Sequence, residues 1–182
     1  MKFQITLACF ALSLLFVLPL SGFAQKPGQP AGKEEADALV KKAQEKIGNG
    51  EYAAAIPILN SAEEKDAKNL NVYLKRAFCY SQTGNYQGAI EDLTKVINLK
   101  PDEEFAFVSR GSAKNKLKQF KEAMADFDKA IQLKPDDYDA YNNRGWAKKG
   151  LGDEDGACKD WHYSKKKGNS EAKIILSNNR CK

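Results

Sequence analysis

Pro101 and Pro135 lie 34 residues apart, and the residues before them repeat at the same offset. Tyr73, Phe107 and Tyr141 form one series at this spacing, and Arg76, Arg110 and Arg144 form a second. Ala89, Ala123 and Ala157 make a third, and Leu93, Phe127 and Trp161 a fourth. A fixed period of this size restricts the chain to stacked copies of one small unit, and this pattern implies a pair of helices per copy.

The unit ending at Pro135 shows how one copy is built. A first helix is predicted over Glu104–Leu117, with Phe107, Gly111 and Lys114 on one face at helical spacing. Gly111 has no side chain, which lets a neighbouring helix approach closely. Lys118-Gln119 makes the turn, and the second helix carries Ala123, Phe127 and Ala130 on one face. Pro135 stops that helix because it has no backbone N–H to donate. One such hairpin cannot bury its apolar face alone, whereas stacked copies can.

These residues resemble the tetratricopeptide repeat family. That family places an aromatic early in the first helix, small residues where the two helices touch, a large apolar residue in the second helix and a closing proline. The unit 70–103 supplies Tyr73, Ala77, Tyr80, Tyr86, Ala89, Leu93, Val96 and Pro101. The unit 104–137 supplies Phe107, Gly111, Phe120, Ala123, Phe127, Ala130 and Pro135, with Lys114 where an aromatic is usual. The resemblance covers about residues 36–171 as four repeats, 36–69, 70–103, 104–137 and 138–171. It implies an all-α fold, a right-handed superhelical stack of helix-turn-helix units.

The outer repeats depart from the pattern, as terminal copies with one face in water are expected to do. Repeat 36–69 keeps Leu39, Ala43, Tyr52, Ala55, Leu59 and Ala62 in register, with Lys46 for an aromatic and Ala67 for proline. Gly48-Asn49-Gly50 forms its turn, and Pro57 falls near the start of its second helix. Repeat 138–171 opens with Tyr141, Arg144, Gly145 and Ala147, then puts Glu154, Ser164 and Asn169 in place of an aromatic, an alanine and the proline. Asp137 or Asp139 suits the positive end of the helix dipole at its start. Gly168-Asn169 closes its last helix. Residues 172–182 then form a capping helix and tail, with Ile174, Ile175 and Leu176 to cover the open end. Cys79 aligns with Ala113 and Ala147 and is expected as a small buried thiol.

Residues 1–24 read as a secretory signal. Lys2 is followed by the uncharged run Ile5–Leu20, and Ser21-Gly22-Phe23-Ala24 offers a cleavage site after Ala24. The competing reading is a membrane anchor, but the run is short for a span and Pro19 interrupts it. Cys9 comes too early for a lipid-modified cysteine and would leave with the signal. After cleavage no stable membrane span remains, so the chain is expected to be exported, periplasmic or secreted, and envelope-associated in the alternative below. Residues 25–35, with two prolines and two glycines in 25–33, are expected to form a disordered linker. A net charge of +5 is ordinary for solubility and does not indicate nucleic acid.

Cys158 lies near the start of the last repeat helix and Cys181 just past the cap. Neighbouring helices of such a stack run antiparallel, which brings a helix start beside the end of the next. The two thiols are thus placed either to form a disulfide, worth roughly 3 kcal/mol across that span, or to remain unrelated. An exported chain sits where disulfides can persist, and both readings stay open.

Residues that would signal catalysis are missing. His162 is the only histidine and no Cys-x-x-Cys pair occurs. The glycines follow no strand, so they form no phosphate loop. Asp136-Asp137 and Asp153-Glu154-Asp155 lack calcium-loop spacing and more simply begin helices. No enzymatic activity, cofactor or metal is expected, and nothing in the sequence sets an oligomeric state.

The family resemblance implies a concave groove lined by the first helix of each repeat. Carried onto this sequence, it gives Asp37, Val40, Lys41 and Gln44, then Asn71, Leu74, Lys75 and Phe78. It continues with Phe105, Val108, Ser109, Ser112 and Asn115, then Asp139, Asn142, Asn143 and Trp146. Phe78, Phe105 and Trp146 are not required by the repeat pattern. They serve either as anchors for a bound peptide or as packing between neighbouring helices. Asn71, Asn142 and Asn143 have donors and acceptors for a peptide backbone. The charged clamp by which some members hold a chaperone's terminal carboxylate is not matched: its positions read Val40, Gln44, Lys75, Phe105 and Ser109. The resemblance thus implies a non-catalytic scaffold or adaptor of an exported bacterial protein, binding a peptide or protein segment in the groove. The alternative is an accessory protein holding an anionic polymer or lipid surface through Lys148, Lys149, Lys159, Lys165-Lys166-Lys167, Lys173, Arg180 and Lys182.

Overall fold

The computed structural model describes residues 31–179 and 181. The signal reading of 1–24, with Cys9, and residues 25–30 of the linker reading lie outside these, as do Arg180 and Lys182. Nine helices are present among the described residues: α1 (Ala31–Gly48), α2 (Tyr52–Lys65), α3 (Leu70–Gln82), α4 (Tyr86–Leu99), α5 (Glu104–Lys116), α6 (Phe120–Leu133), α7 (Tyr138–Gly150), α8 (Glu154–Lys166) and α9 (Ala172–Asn178). They pair as α1/α2, α3/α4, α5/α6 and α7/α8, each second helix packs on the next first helix, and α9 covers α8. The result is an all-α, right-handed superhelical stack.

One expectation is corrected at the N-terminal side. Residues 31–35 are not linker: α1 already begins at Ala31. Its first turn is held against the end of α2, where Lys65 pairs with Glu35 at 2.7 Å. A β-carbon at Gly32 would stand only 2.7 Å from the Lys65 carbonyl oxygen, so the approach requires glycine.

The hairpins turn through one left-handed residue each, at Gly50, Gly84, Lys118 and Gly152, again 34 residues apart. Between the helices of a hairpin, size is matched across one contact. Ala43 faces the same core as Leu59, and Ala77 the same core as Leu93. Where the second-helix residue grows to Phe127 or Trp161, the first helix recedes to glycine: a β-carbon at Gly111 would sit 2.7 Å from the Phe127 ring, and one at Gly145 2.5 Å from Trp161. Cys79, Ala113 and Ala147 are all buried small residues.

A second periodic system is ionic. Arg76 holds Asp92 through two hydrogen bonds of 2.8 and 2.7 Å, Arg110 holds Asp126 at 3.0 and 2.7 Å, and Arg144 holds Asp160 at 2.8 and 2.8 Å. Each arginine also reaches back to the preceding hairpin, to Asn60, Thr94 and Asp128 respectively. The guanidinium fork thus ties three helices at once, which a lysine could not do. Lys114, where an aromatic is usual, adds a second cation to Asp126 at 2.7 Å, and Lys148 does the same for Asp160 at 2.8 Å. Around Arg76 a further acid is recruited. Burial pushes Glu63 up, but hydrogen bonds from Lys95 and Arg76 prevail and hold it at about 2.

The departures in the last repeat have local reasons. Ser164 is buried, and its hydroxyl donates to the Tyr138 carbonyl at 2.9 Å. Asn169 accepts from the N–H groups of Glu171 and Ala172 at 2.9 and 3.2 Å and so starts the capping turn. Asp137 caps α7 in the same way, accepting from Asp139 and Ala140. Leu176 of α9 packs on Trp161 and Ala157. Cys158 and Cys181 are joined by a disulfide with α-carbons 5.5 Å apart, which fastens the end of the cap to the start of α8.

Glu104, at the start of α5, meets Asp137 at the start of α7. Burial, then the hydrogen bond and charge of Asp137, push its carboxyl up from 4.5 to about 7, with Lys134 opposing. The folded chain therefore keeps a proton on Glu104 that the unfolded chain releases above about 4.5. Stability contributed by this pair is present at acid pH and is lost as pH rises toward 7. Melting followed by circular dichroism from pH 5 to 8 should show the natural chain losing stability across this window. Glu104→Gln, which keeps the hydrogen bond without a titrating proton, should flatten that loss, and an unchanged slope would remove Glu104 as its source.

Candidate peptide-binding groove

Of the first helices, α5 packs directly on α7, while α3 stands across a cleft from α5 that Tyr86 and Leu93 of α4 also line. A second, contiguous cleft runs between α5 and α7. Leu74 and Phe78 of α3 face Phe105, Val108, Ser109 and Ser112 of α5 across a cleft of about 300 Å³. The second cleft, about 640 Å³, lies between Ser112, Asn115 and Lys116 of α5 and Asn143, Trp146 and Lys149 of α7, with Phe120 entering from α6. Ser112 and Lys116 line both, so the two form one groove.

The three aromatics are exposed, Phe78 by 44%, Phe105 by 58% and Trp146 by 40%. Packing accounts for part of two of them. Phe78 meets Tyr52 edge-on with centroids 5.6 Å apart, and Trp146 meets Trp161 at 5.0 Å. Phe105 is the most exposed of the three, and its apolar surface is left facing the cleft.

Other expected groove positions divide. Ser109, Ser112 and Asn143 line the clefts, whereas Asn71, Lys75 and Asn142 do not. Asn71 is exposed at the start of α3, where its N–H donates to Asn69. Lys75 donates to the side chain of Gln44 on α1. Asn142 turns toward the capping end, into a separate hollow with Asn169 and Glu171, and its carbonyl accepts from the Trp161 indole at 3.2 Å. Val40 is buried in the core with Ala43 and Val72 rather than open to the groove. The Asn115 side-chain amide donates to the Asn143 backbone carbonyl at 2.9 Å, bracing α5 against α7, while its amide oxygen Oδ1 is buried without a partner among the described residues.

Lys116, Phe120 and Lys149 were not among the expected groove residues. Helical spacing could have found two of them, since Lys116 follows Ser112 by four and Lys149 follows Trp146 by three. No aspartate or glutamate among the described residues lines either cleft. Among the described residues no group of histidine, cysteine and acidic side chains could hold a metal ion, and no helix is long and apolar enough to cross a membrane.

A hairpin stack with this period and size-matched core is the architecture of a tetratricopeptide repeat protein, and the chain carries such repeats. Two family models match it, "Tetratricopeptide repeat" over residues 46–107 and "TPR repeat" over 111–152. Sperm-associated antigen 1 of Homo sapiens is 35% identical over 82 residues, 44% of this chain and 9% of that protein. The tetratricopeptide repeat and J domain-containing co-chaperone DNJ1 of Cryptococcus neoformans is 32% identical over 92 residues, 50% of this chain and 17% of that protein. The matched region thus spans less than a fifth of the length of either relative. Among solved structures, MamA of Desulfovibrio magneticus RS-1 superposes with a TM-score of 0.72 at 18% identity, covering 82% of this chain and 90% of that one. The first repeat domain of Spaghetti (RPAP3), bound to the HSP90 peptide SRMEEVD, gives 0.64 at 23% identity over 66% and 95%. At identities this low, the two superpositions show a shared fold alone. That fold commonly mediates protein–protein interaction.

Proposed function

We propose that the chain is a non-catalytic adaptor that docks a segment of another protein in the concave groove, and that it works outside the bacterial cytoplasm. The observation that carries the docking reading is the continuous α3/α5/α7 groove with Phe105 exposed in it. Exposed aromatics in a preformed concave site are the residues on which binding energy concentrates. A peptide is bound to a structural neighbour, the RPAP3 repeat domain, which supports the same use of the fold here. Export is supported by the signal-like residues 1–24 and by the Cys158–Cys181 disulfide, a bond that persists in oxidising compartments.

The basic end favours a second reading. Lys159, Lys165, Lys166 and Lys173 are exposed and, among the described residues, form no ion pair with a carboxylate. They offer a surface to an anionic polymer or lipid headgroups. Capture from envelope extract, with the natural chain beside a Phe78→Ala/Phe105→Ala/Trp146→Ala variant of unchanged helicity, separates the two. A protein retained at high salt and lost by the variant supports the groove. Material held equally by both and released by salt points to the basic end instead, because charge-driven binding is screened and apolar packing is not.

A further inference from the structure

We infer that the segment the groove accepts is acidic as well as apolar: an apolar residue seats between α3 and α5, and a carboxylate about three residues away sits between Lys116 and Lys149. The inference rests on the docking reading and adds the chemistry of the partner.

Charge in the groove has one sign. Among the described residues the clefts are lined by two lysines and by no acid. The contrast with their sequence neighbours is informative. Lys114 and Lys148, close in sequence to this pair, are fixed on Asp126 and Asp160. Lys116 and Lys149 form no ion pair among the described residues, although acidic residues are plentiful elsewhere on the chain. Glu154 shares a separate hollow with Lys149 at the α8 end and does not pair with it. Lys149 is also tethered, at the rim between the cleft and that hollow, which Asn179 lines. Its ammonium lies 5.6 Å from the centre of the Trp146 ring, and it donates to the side chain of Asn179. A positioned cation beside an exposed indole, in a cleft free of acids, is matched by a carboxylate flanked by apolar groups.

Geometry sets the spacing. The clefts lie on either side of α5, and a helix with its side chains is about 10 Å across. An extended segment advances about 3.3 Å per residue, so anchor and carboxylate stand about three residues apart.

The test is selection, on the full chain, from a display library of random segments of about twelve residues, flanked on both sides so that no free terminus is offered. Selected segments should pair an apolar residue with Asp or Glu three or four positions on. They should bind about threefold to fivefold more weakly for each lysine reversed, the scale of an exposed ion pair. Against the Lys116→Glu/Lys149→Glu variant, selection should return Lys or Arg at the acidic position. Apolar segments without acid bias, indifferent to the lysine reversals but lost with Phe105→Ser, would overturn the inference and leave the groove reading standing. Segments that bind Phe105→Ser as well as the natural chain, or no enrichment at all, would overturn both. Helicity of each variant, checked by circular dichroism, keeps unfolding from imitating loss of binding.

Discussion

Trp161→Ala should lower stability by about 3–5 kcal/mol, among the largest losses available from a single substitution in this chain. The indole is 1% exposed and fills the space between α7, α8 and the cap, against Ala157 and Leu176. Its N–H also donates to the Asn142 carbonyl. Truncation leaves a cavity at the last hairpin and takes the packing from beneath α9, so the C-terminal helices should melt first in a denaturant series followed by circular dichroism. The complementary change is Gly145→Ala. A β-carbon there would fall 2.5 Å from the indole nitrogen, which forces a shift costing about 1–3 kcal/mol. Repeat 70–103 has already solved the same contact with Ala77 and Leu93. Gly145→Ala combined with Trp161→Leu should therefore lose clearly less than the two single changes added together, since the pair is restored to a size-matched form. Strict additivity would show that glycine serves something other than the tryptophan.

The fold was legible because a 34-residue period records one packing contact several times over. The substitutions that looked like degeneracy were harder to read, because each is answered by a residue on another helix. Lys114 looks like a failed aromatic until Asp126 is placed beside it. The series Asp92, Asp126 and Asp160 has the same offset as the arginines, yet a charge in a helix is usually a solvated one, and only packing shows these three to be buried. The groove was legible as a face and not as a set of contacts. Phe78, Phe105, Ser109, Ser112, Asn143 and Trp146 reach the clefts, but stacking turns Val40 into the core and Asn142 toward the cap. Lys116 and Lys149 enter from the helix ends, where a repeat pattern centred on mid-helix positions has little to say. The helical start at Ala31 was hidden by two prolines and two glycines just upstream and within it, which locally read as linker.

The three arginines give the second large effect, and they should not be equal. Arg76→Ala should lose about 3–5 kcal/mol, the scale for stranding one partner of a buried ion pair, while Arg110→Ala and Arg144→Ala should lose less. Asp92 is 3% exposed and, among the described residues, pairs with Arg76 alone, because Tyr80 stands where the later repeats have lysine. Removing Arg76 leaves that carboxylate buried without a cation and also releases Asn60 and Glu63 on the preceding hairpin. Asp126 and Asp160 would keep Lys114 and Lys148. Tyr80→Lys in the Arg76→Ala background should accordingly recover part of the loss by bringing to Asp92 the second cation that its counterparts possess. Denaturation midpoints of the three alanine variants and of the double variant, at neutral pH, decide the matter. Equal losses at all three sites would show that the lysines contribute nothing once the arginine has gone. A double variant no more stable than Arg76→Ala would show that the fork geometry of arginine, and not its charge, is what Asp92 requires.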